Sequence, residues 1–195
     1  MENPLFLTLT ESSLHGGMET YAHALQKVWK NMRIVGRETL AKEGMHSTLP
    51  GFGEIQHGLH LREFVQRLSE KPAFILTNGL HGWALKKKTI PTFSILHGTY
   101  SGLADAGYVP TSLLHWRMKY VLAPLEKRSA HQSHACVSNS RFTQVEALKR
   151  YRVESRLIHP PLDLNRFRSG SKFRAQKKLG WASGLHILFV GNPTY

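Results

Sequence analysis

The stretch Pro4 to Leu25 constrains the fold most. It opens with a short apolar, β-prone run, Leu5 to Leu9, and continues through a polar turn to the pair Gly16-Gly17. After the glycines, Tyr21, Leu25, Val28 and Trp29 fall at the spacing of one helical face. Strand, glycine turn and helix form the opening unit of an α/β nucleotide-binding domain. Glycines remove side chains where a backbone must approach a ligand. The N-terminus of the following helix offers free N–H groups and a positive dipole end to an anion. The pair lacks the full G-x-G-x-x-G spacing of the dinucleotide fingerprint, so by itself it reads equally well as a tight turn.

The same alternation runs on along the chain. Met32 to Gly36 predicts a second strand, and residues 41–58, rich in Gly, His and polar groups, predict an exposed loop. Leu59, Leu61, Phe64, Val65 and Leu68 predict an amphipathic helix that ends at Pro72. Ala73 to Thr77 is a buried-type strand before the turn Asn78-Gly79. A short helix from Trp83 to Lys88 leads to a strand from Pro91 to Leu96, which runs into His97-Gly98-Thr99. Residues 98–110 read as a glycine-containing loop. Thr111 is a good N-cap for a long helix with Leu113, Leu114, Met118, Val121, Leu122 and Leu125 on one side, which Pro124 should kink or split. His134 to Ser138 is the next strand, Ser140 caps a helix from Arg141 to about Arg150, and Arg156 to His159 is a strand stopped by Pro160-Pro161. A basic, irregular segment to Lys178 precedes a last apolar strand, Leu185 to Val190.

Because the strands are continuous and apolar, the pattern predicts a Rossmann-like α/β fold: a parallel sheet with helices on both faces. The expected division is an N-terminal domain over 1–168, a linker over 169–184, and over 185–195 the first strand of a second domain whose remainder this chain lacks. No apolar run approaches the roughly 18 residues of a spanning helix, and no leader is recognised at the N-terminus. The single cysteine, Cys136, reads as a small core hydrophobe in a reducing, cytoplasmic setting.

Charge is lopsided. Of the net +13, residues 1–70 carry −1 and residues 71–195 carry +14. Such a half attracts polyanions: phosphorylated substrates, anionic lipid headgroups or nucleic acid. Lys86-Lys87-Lys88 and the helix bearing Arg117, Lys119, Lys127 and Arg128, with Trp116 and Tyr120 interleaved, are suited to an anionic membrane surface on the inner face. A solvated helix face with buried aromatics is the plainer reading. No aromatic-rich strand motif, zinc knuckle or G-x-x-G clamp points to specific nucleic acid.

The order of motifs resembles retaining glycosyltransferases of the two-domain GT-B fold, in particular family 4. The residues that carry the resemblance are Gly16-Gly17-Met18-Glu19, Ile95-Leu96-His97-Gly98, and Cys136-Val137-Ser138-Asn139-Ser140. Ile158-His159-Pro160-Pro161-Leu162-Asp163 with Phe167, Arg174 to Gly180, and Ile187 to Gly191 complete the series. Pro161 departs from the family's usual Gly, and the family's second domain, with its nucleotide-binding basic residues and paired glutamates, is not in this sequence.

The resemblance implies transfer of a hexosyl unit from a nucleotide-sugar donor to an acceptor hydroxyl with retention, the acceptor being a saccharide or lipid-linked. This chain alone is expected to be inactive. The nucleotide sugar is a substrate, and no cofactor or metal is called for: the sequence has no D-x-D triplet. By family likeness His97 is the catalytic-centre histidine, contacting the transferred sugar or supporting charge. Gly16, Gly17 and Glu19 face the donor phosphates and sugar, and Asn78 and His15 lie on the acceptor side. Glu19 also suits the first helical turn whatever it binds, and Ser138 reads as a cap of the following helix. The alternative is a non-catalytic basic α/β module that binds nucleic acid or anionic membrane.

Overall fold

A computed structural model describes residues 3–12, 16–48, 52–86, 90–107, 112–162, 170–182 and 184–187. Six strands are described: β1 (Leu5–Leu7), β2 (Arg33–Val35), β3 (Ile75–Asn78), β4 (Thr92–Leu96), β5 (Ala135–Ser138) and β6 (Ser155–Leu157). They form one sheet in the order β2-β1-β3-β4-β5-β6, and every pair is parallel. The fold is therefore the Rossmann-like α/β architecture expected. The short central strands are buried along their whole length because helices cover both faces.

Pleating sorts the side chains between two cores. Leu5, Leu7 and Ile75 point to one side, where α2 (Arg37–Lys42) and α3 (Gly53–Arg67) contribute Leu40, Leu61, Phe64 and Val65. Phe6, Leu76 and Ile95 point to the other, against Tyr21 and Ala22 of α1 (Gly17–Val28). A third cluster joins Cys136 to Ala123 and Ala130 of α6 (Ala123–Gln132) and to Tyr151. Burial pushes the Cys136 thiol up to about 11, in keeping with its reading as a core hydrophobe.

Several expectations are corrected. Val28 is 74% exposed and Trp29 only rests edge-on against Phe74, so the buried face of α1 is Tyr21, Ala22 and Leu25. Residues 41–58 are not one loop: α2 ends inside them and α3 begins at Gly53, six residues before the apolar periodicity shows. The early start is fixed by a polar contact, His57 Nε2 donating to the Thr8 carbonyl at 2.8 Å. After β3 the helical turn comes earlier than expected, as a 3-10 turn over Gly79–Gly82, and residues 83–85 form a turn and bend where a helix from Trp83 was expected; Lys87 and Lys88 lie outside the described residues.

Within 98–110 lies a short helix, α4 (Tyr100–Asp105), whose N-terminus is capped by Thr99 Oγ1 accepting from Gly102 N–H at 2.9 Å. Six residues are too few for periodicity to register. The long helix runs as α5 (Ser112–Arg117), a π turn (Met118–Leu122) and α6; the expected cap Thr111 lies outside the described residues. Pro124 neither splits nor ends it. The wide turn, with Ala123 N–H bonded to the Met118 carbonyl, meets the proline directly and relieves its clash with the preceding turn. Leu113, placed on the apolar side by spacing, is 74% exposed.

Ser140 caps α7 (Arg141–Glu146) as expected, accepting from Thr143 N–H at 3.1 Å, and a π turn carries the helix on to Tyr151. Ser138 is not a cap; its hydroxyl bonds Ser155 of β6 at 2.7 Å.

The chain falls into two units, Met1–Pro160 and Pro161–Tyr195. In the second, the segment expected to be irregular contains α8 (Lys172–Leu179), closed by Ser171 at one end and by Gly180, at φ +67°, at the other. Its run of five polar residues among eight, with only Phe173, Ala175 and Leu179 apolar, hides the helical signal. Leu185 and Ile187 are exposed and form no strand among the described residues; residues 188–195 lie outside them, as do Asp163 and Phe167.

Candidate functional site

The sheet order places the beginning of the chain in the middle of the site. β1 lies between β2 and β3, so the direction of winding reverses between β1 and β3, the place where open α/β sheets leave a crevice at the C-terminal strand ends. Four polar side chains stand there in a row: Thr8 just past β1, Asn78 closing β3, His97 just past β4 and Asn139 just past β5.

They are joined by one directional chain of hydrogen bonds. Thr143 Oγ1 donates to Asn139 Oδ1 at 3.1 Å, and Asn139 Nδ2 faces His97 Nδ1 at 3.3 Å. His97 Nε2 lies 2.8 Å from Asn78 Oδ1, and Asn78 Nδ2 donates to Thr8 Oγ1 at 3.0 Å. Each carboxamide has its oxygen toward a donor only if the imidazole carries its proton on Nε2, so the network assigns that tautomer. Burial pushes the His97 imidazole down to about 4, so the ring is neutral at physiological pH. Tyr21 packs edge-on to it at 5.2 Å between centroids. A neutral ring whose weaker contact is at Nδ1 can exchange Asn139 for an incoming hydroxyl; it is poorly suited to act as a cation.

The first turn of α1 reaches the same crevice. Met18, in the first turn of α1, lines a cavity of about 160 Å³ together with Asn78, Gly79, His97, Gly98 and Leu103. Gly16, the α1 N-cap, provides no side-chain cap, and a Cβ on Gly17 would meet nothing within 4 Å. That leaves side-chain-free backbone at the positive end of a 12-residue helix. Glu19 is buried, with its carboxylate beside Gly16, 3.1 Å from where a Cβ would stand. Of the residues singled out in sequence, Gly16, Gly17, Glu19, Asn78 and His97 thus gather around α1 and the β3 and β4 ends. His15 lies outside the described residues.

Two features went unrecognised in the sequence. Glu126 of α6 reaches the floor of the crevice, 4% exposed. Its Oε2 accepts from Tyr151 Oη at 2.5 Å and from the Tyr100 backbone N–H at 2.9 Å. Burial raises its carboxyl to about 7 against the opposing pull of these two bonds. The available signal was its isolation: it is the only acidic residue between Asp105 and Glu146, on an otherwise basic helix. The second is the buried pair His57 and His81, with ring centroids 5.3 Å apart, both held below the usual histidine range by burial. Spacing could not reveal this pair, because the residues come from α3 and from the 3-10 turn.

On the outer surface Trp116 and Tyr120 are 54% and 59% exposed, which removes the reading of buried aromatics. No helix among the described residues is long and apolar enough to cross a membrane.

Comparison with known proteins agrees with this arrangement. The family described as Glycosyltransferase Family 4 matches residues 15–166, from the glycine corner to beyond β6. No curated protein matches the chain individually. A parallel sheet with its polar row at the switch point, matched over most of its length by one family, places this chain in glycosyltransferase family 4.

Proposed function

We propose that this chain forms one wall of a site where a hexosyl unit passes from a nucleotide-sugar donor to an acceptor hydroxyl with retention. The observation that carries the reading is the shared crevice: Met18 from the glycine corner and His97 from the end of β4 line the same cavity. In this reading the bare backbone at Gly16 and Gly17, with the α1 N-terminus, stabilises charge developing on the departing diphosphate. Glu19 sits on the donor side and orients that corner. His97 presents a neutral ring to the transferred sugar, held in place by Asn78 on the acceptor side. Turnover requires the family's second domain, whereas binding of the donor to this wall is expected from the chain itself.

The reading is tested by saturation-transfer NMR of UDP-glucose and GDP-mannose with the purified chain. Signal that UDP or GDP competes away, and that Gly17→Val removes, supports it. No transfer to either donor, or transfer indifferent to Gly17→Val, overturns it.

The acceptor side of the proposal includes an anionic lipid surface. Leu113, Trp116 and Tyr120 recur at one side of the helix and are exposed, as are Lys127 and Arg128, whereas Arg117 and Lys119 are ion-paired with Glu54 and Asp105. Sedimentation with phosphatidylglycerol vesicles decides it. Binding should fall at least tenfold after Lys127→Glu with Arg128→Glu, and unchanged binding refutes it.

A further inference from the structure

Glu126 is a buried titratable group with no part in the proposed transfer. No cation is hydrogen-bonded to it among the described residues. The groups around it are Tyr100 from α4, Tyr151 and Glu146 from the α7 segment, His81 from the 3-10 turn, and His97 beyond β4. A buried carboxyl with no positive partner costs stability and is kept where chemistry needs it. Both donors it receives bond the same oxygen, Oε2.

The other oxygen, Oε1, has no hydrogen-bond partner among the described residues and stands beside Gly79. Gly79 has φ +49°, which favours glycine, and a Cβ there would press on Glu126 Oε1 at 3.0 Å. The absent side chain leaves Oε1 facing the cavity that holds Asn78 and His97. We propose that Glu126 is a substrate-binding residue whose Oε1 accepts a hydrogen bond from a hydroxyl of the neutral sugar unit in this crevice.

The charges support this class of ligand. A carboxylate at the floor of the crevice suits a neutral, hydroxyl-bearing group, which donates to it, better than a phosphate, which it repels. The same geometry places any proton that Glu126 takes up on Oε1, since Oε2 is occupied as an acceptor. Ionised, Oε1 makes the stronger charge-assisted bond to a hydroxyl. Binding of the sugar therefore weakens as the pH falls below about 7. This inference rests on the proposal that a sugar donor enters the crevice.

The test compares UDP-glucose with UDP on the intact chain by ligand-observed NMR, at pH 8 and pH 6. Glu126→Gln retains an acceptor for Tyr100 and Tyr151 and turns an amide donor toward the cavity. The expected result is that UDP-glucose affinity drops about tenfold in the variant, the worth of one charge-assisted bond. UDP affinity should stay unchanged, and the difference between the two pH values should vanish. Equal UDP-glucose affinity and an equal pH profile in both proteins overturn the assignment while leaving sugar binding intact; no binding of UDP-glucose to the wild-type chain overturns both. Should the variant not fold, the carbon-13 resonance of the Glu126 carboxyl in the wild-type protein gives the same decision. It moves and its midpoint falls when UDP-glucose is added, and a midpoint unaffected by UDP-glucose refutes the proposal.

Discussion

His97 and Asn78 are joined by a 2.8 Å contact between the imidazole Nε2 and the carboxamide Oδ1, and this contact decides where the ring keeps its proton. Asn78 is neutral and burial dominates, so the imidazole sits at about 4. Asn78→Asp places a full negative charge on the same atom. An opposite charge within about 4–6 Å raises a histidine by roughly 1–3 pKa units. The imidazole resonances of His97, followed by NMR in the variant, should titrate higher by that amount. A midpoint that stays near 4 would show that burial alone sets the ring and that the pairing has no electrostatic weight.

Acid stability carries two contributions of opposite sign at this site. His97 falls from 6.5 to about 4 on folding, so the unfolded chain takes up its proton first, and stability is lost as the pH drops from 6.5 toward 4. Glu126 rises from 4.5 to about 7, so the folded protein takes up its proton first, and stability is gained as the pH drops from 7 toward 4.5. Each is worth at most about 3–4 kcal/mol. His57 and His81, also held low by burial, act in the same direction as His97. Urea midpoints at pH 7.5 and pH 4.5 separate the effects. His97→Gln should flatten the acid loss, and Glu126→Gln should steepen it. Two variants with parallel curves would contradict the opposing signs.

The parallel sheet was legible because its central strands carry apolar runs, Leu5 to Leu7 and Phe74 to Leu76, that need no partner to be recognised. The placement of Asn78 and His97 at strand ends was legible because each follows an apolar run closely. Glu126 was not, since what distinguishes it is the pair of donors from Tyr100 and Tyr151, 26 and 25 residues away in sequence. The start of α3 was missed for a related reason: it depends on the bond from His57 to Thr8, 49 residues back, rather than on any stripe of apolar residues. Pro124 misled because a proline's effect depends on the turn before it, and a π turn is written in no local pattern.

Gly58 shows packing prevailing over helix propensity. It lies inside α3, where alanine would ordinarily gain about 1 kcal/mol. A Cβ there would come 2.0 Å from Trp83 Nε1 and 2.7 Å from its Cδ1, and the same indole lies under the Arg128 guanidinium. Overpacking of that kind costs about 1–3 kcal/mol, and so large an overlap belongs at the upper end. Gly58→Ala should therefore lower the urea midpoint. In a Trp83→Ala background the same substitution should raise it, because only propensity remains. The cycle fails if Gly58→Ala destabilises both backgrounds alike.

Gly17 poses the opposite case, and its outcome separates a ligand contact from an ordinary turn. It is the first residue of α1, and a Cβ added to it would meet nothing within 4 Å. Gly17→Ala should therefore leave the fold intact and stabilise it slightly, by about 0.5 kcal/mol, less than the full interior-helix gain because the position is terminal. If the corner receives a diphosphate through its backbone N–H groups, the new methyl stands in the path of that approach. Affinity for UDP should then fall severalfold while the thermal midpoint rises. A protein that gains stability and binds UDP as before would make the glycine pair a turn and nothing more. Loss of both would mean that the methyl disturbs α1 itself. Only a rise in stability with a fall in affinity agrees with an open corner kept bare for a ligand.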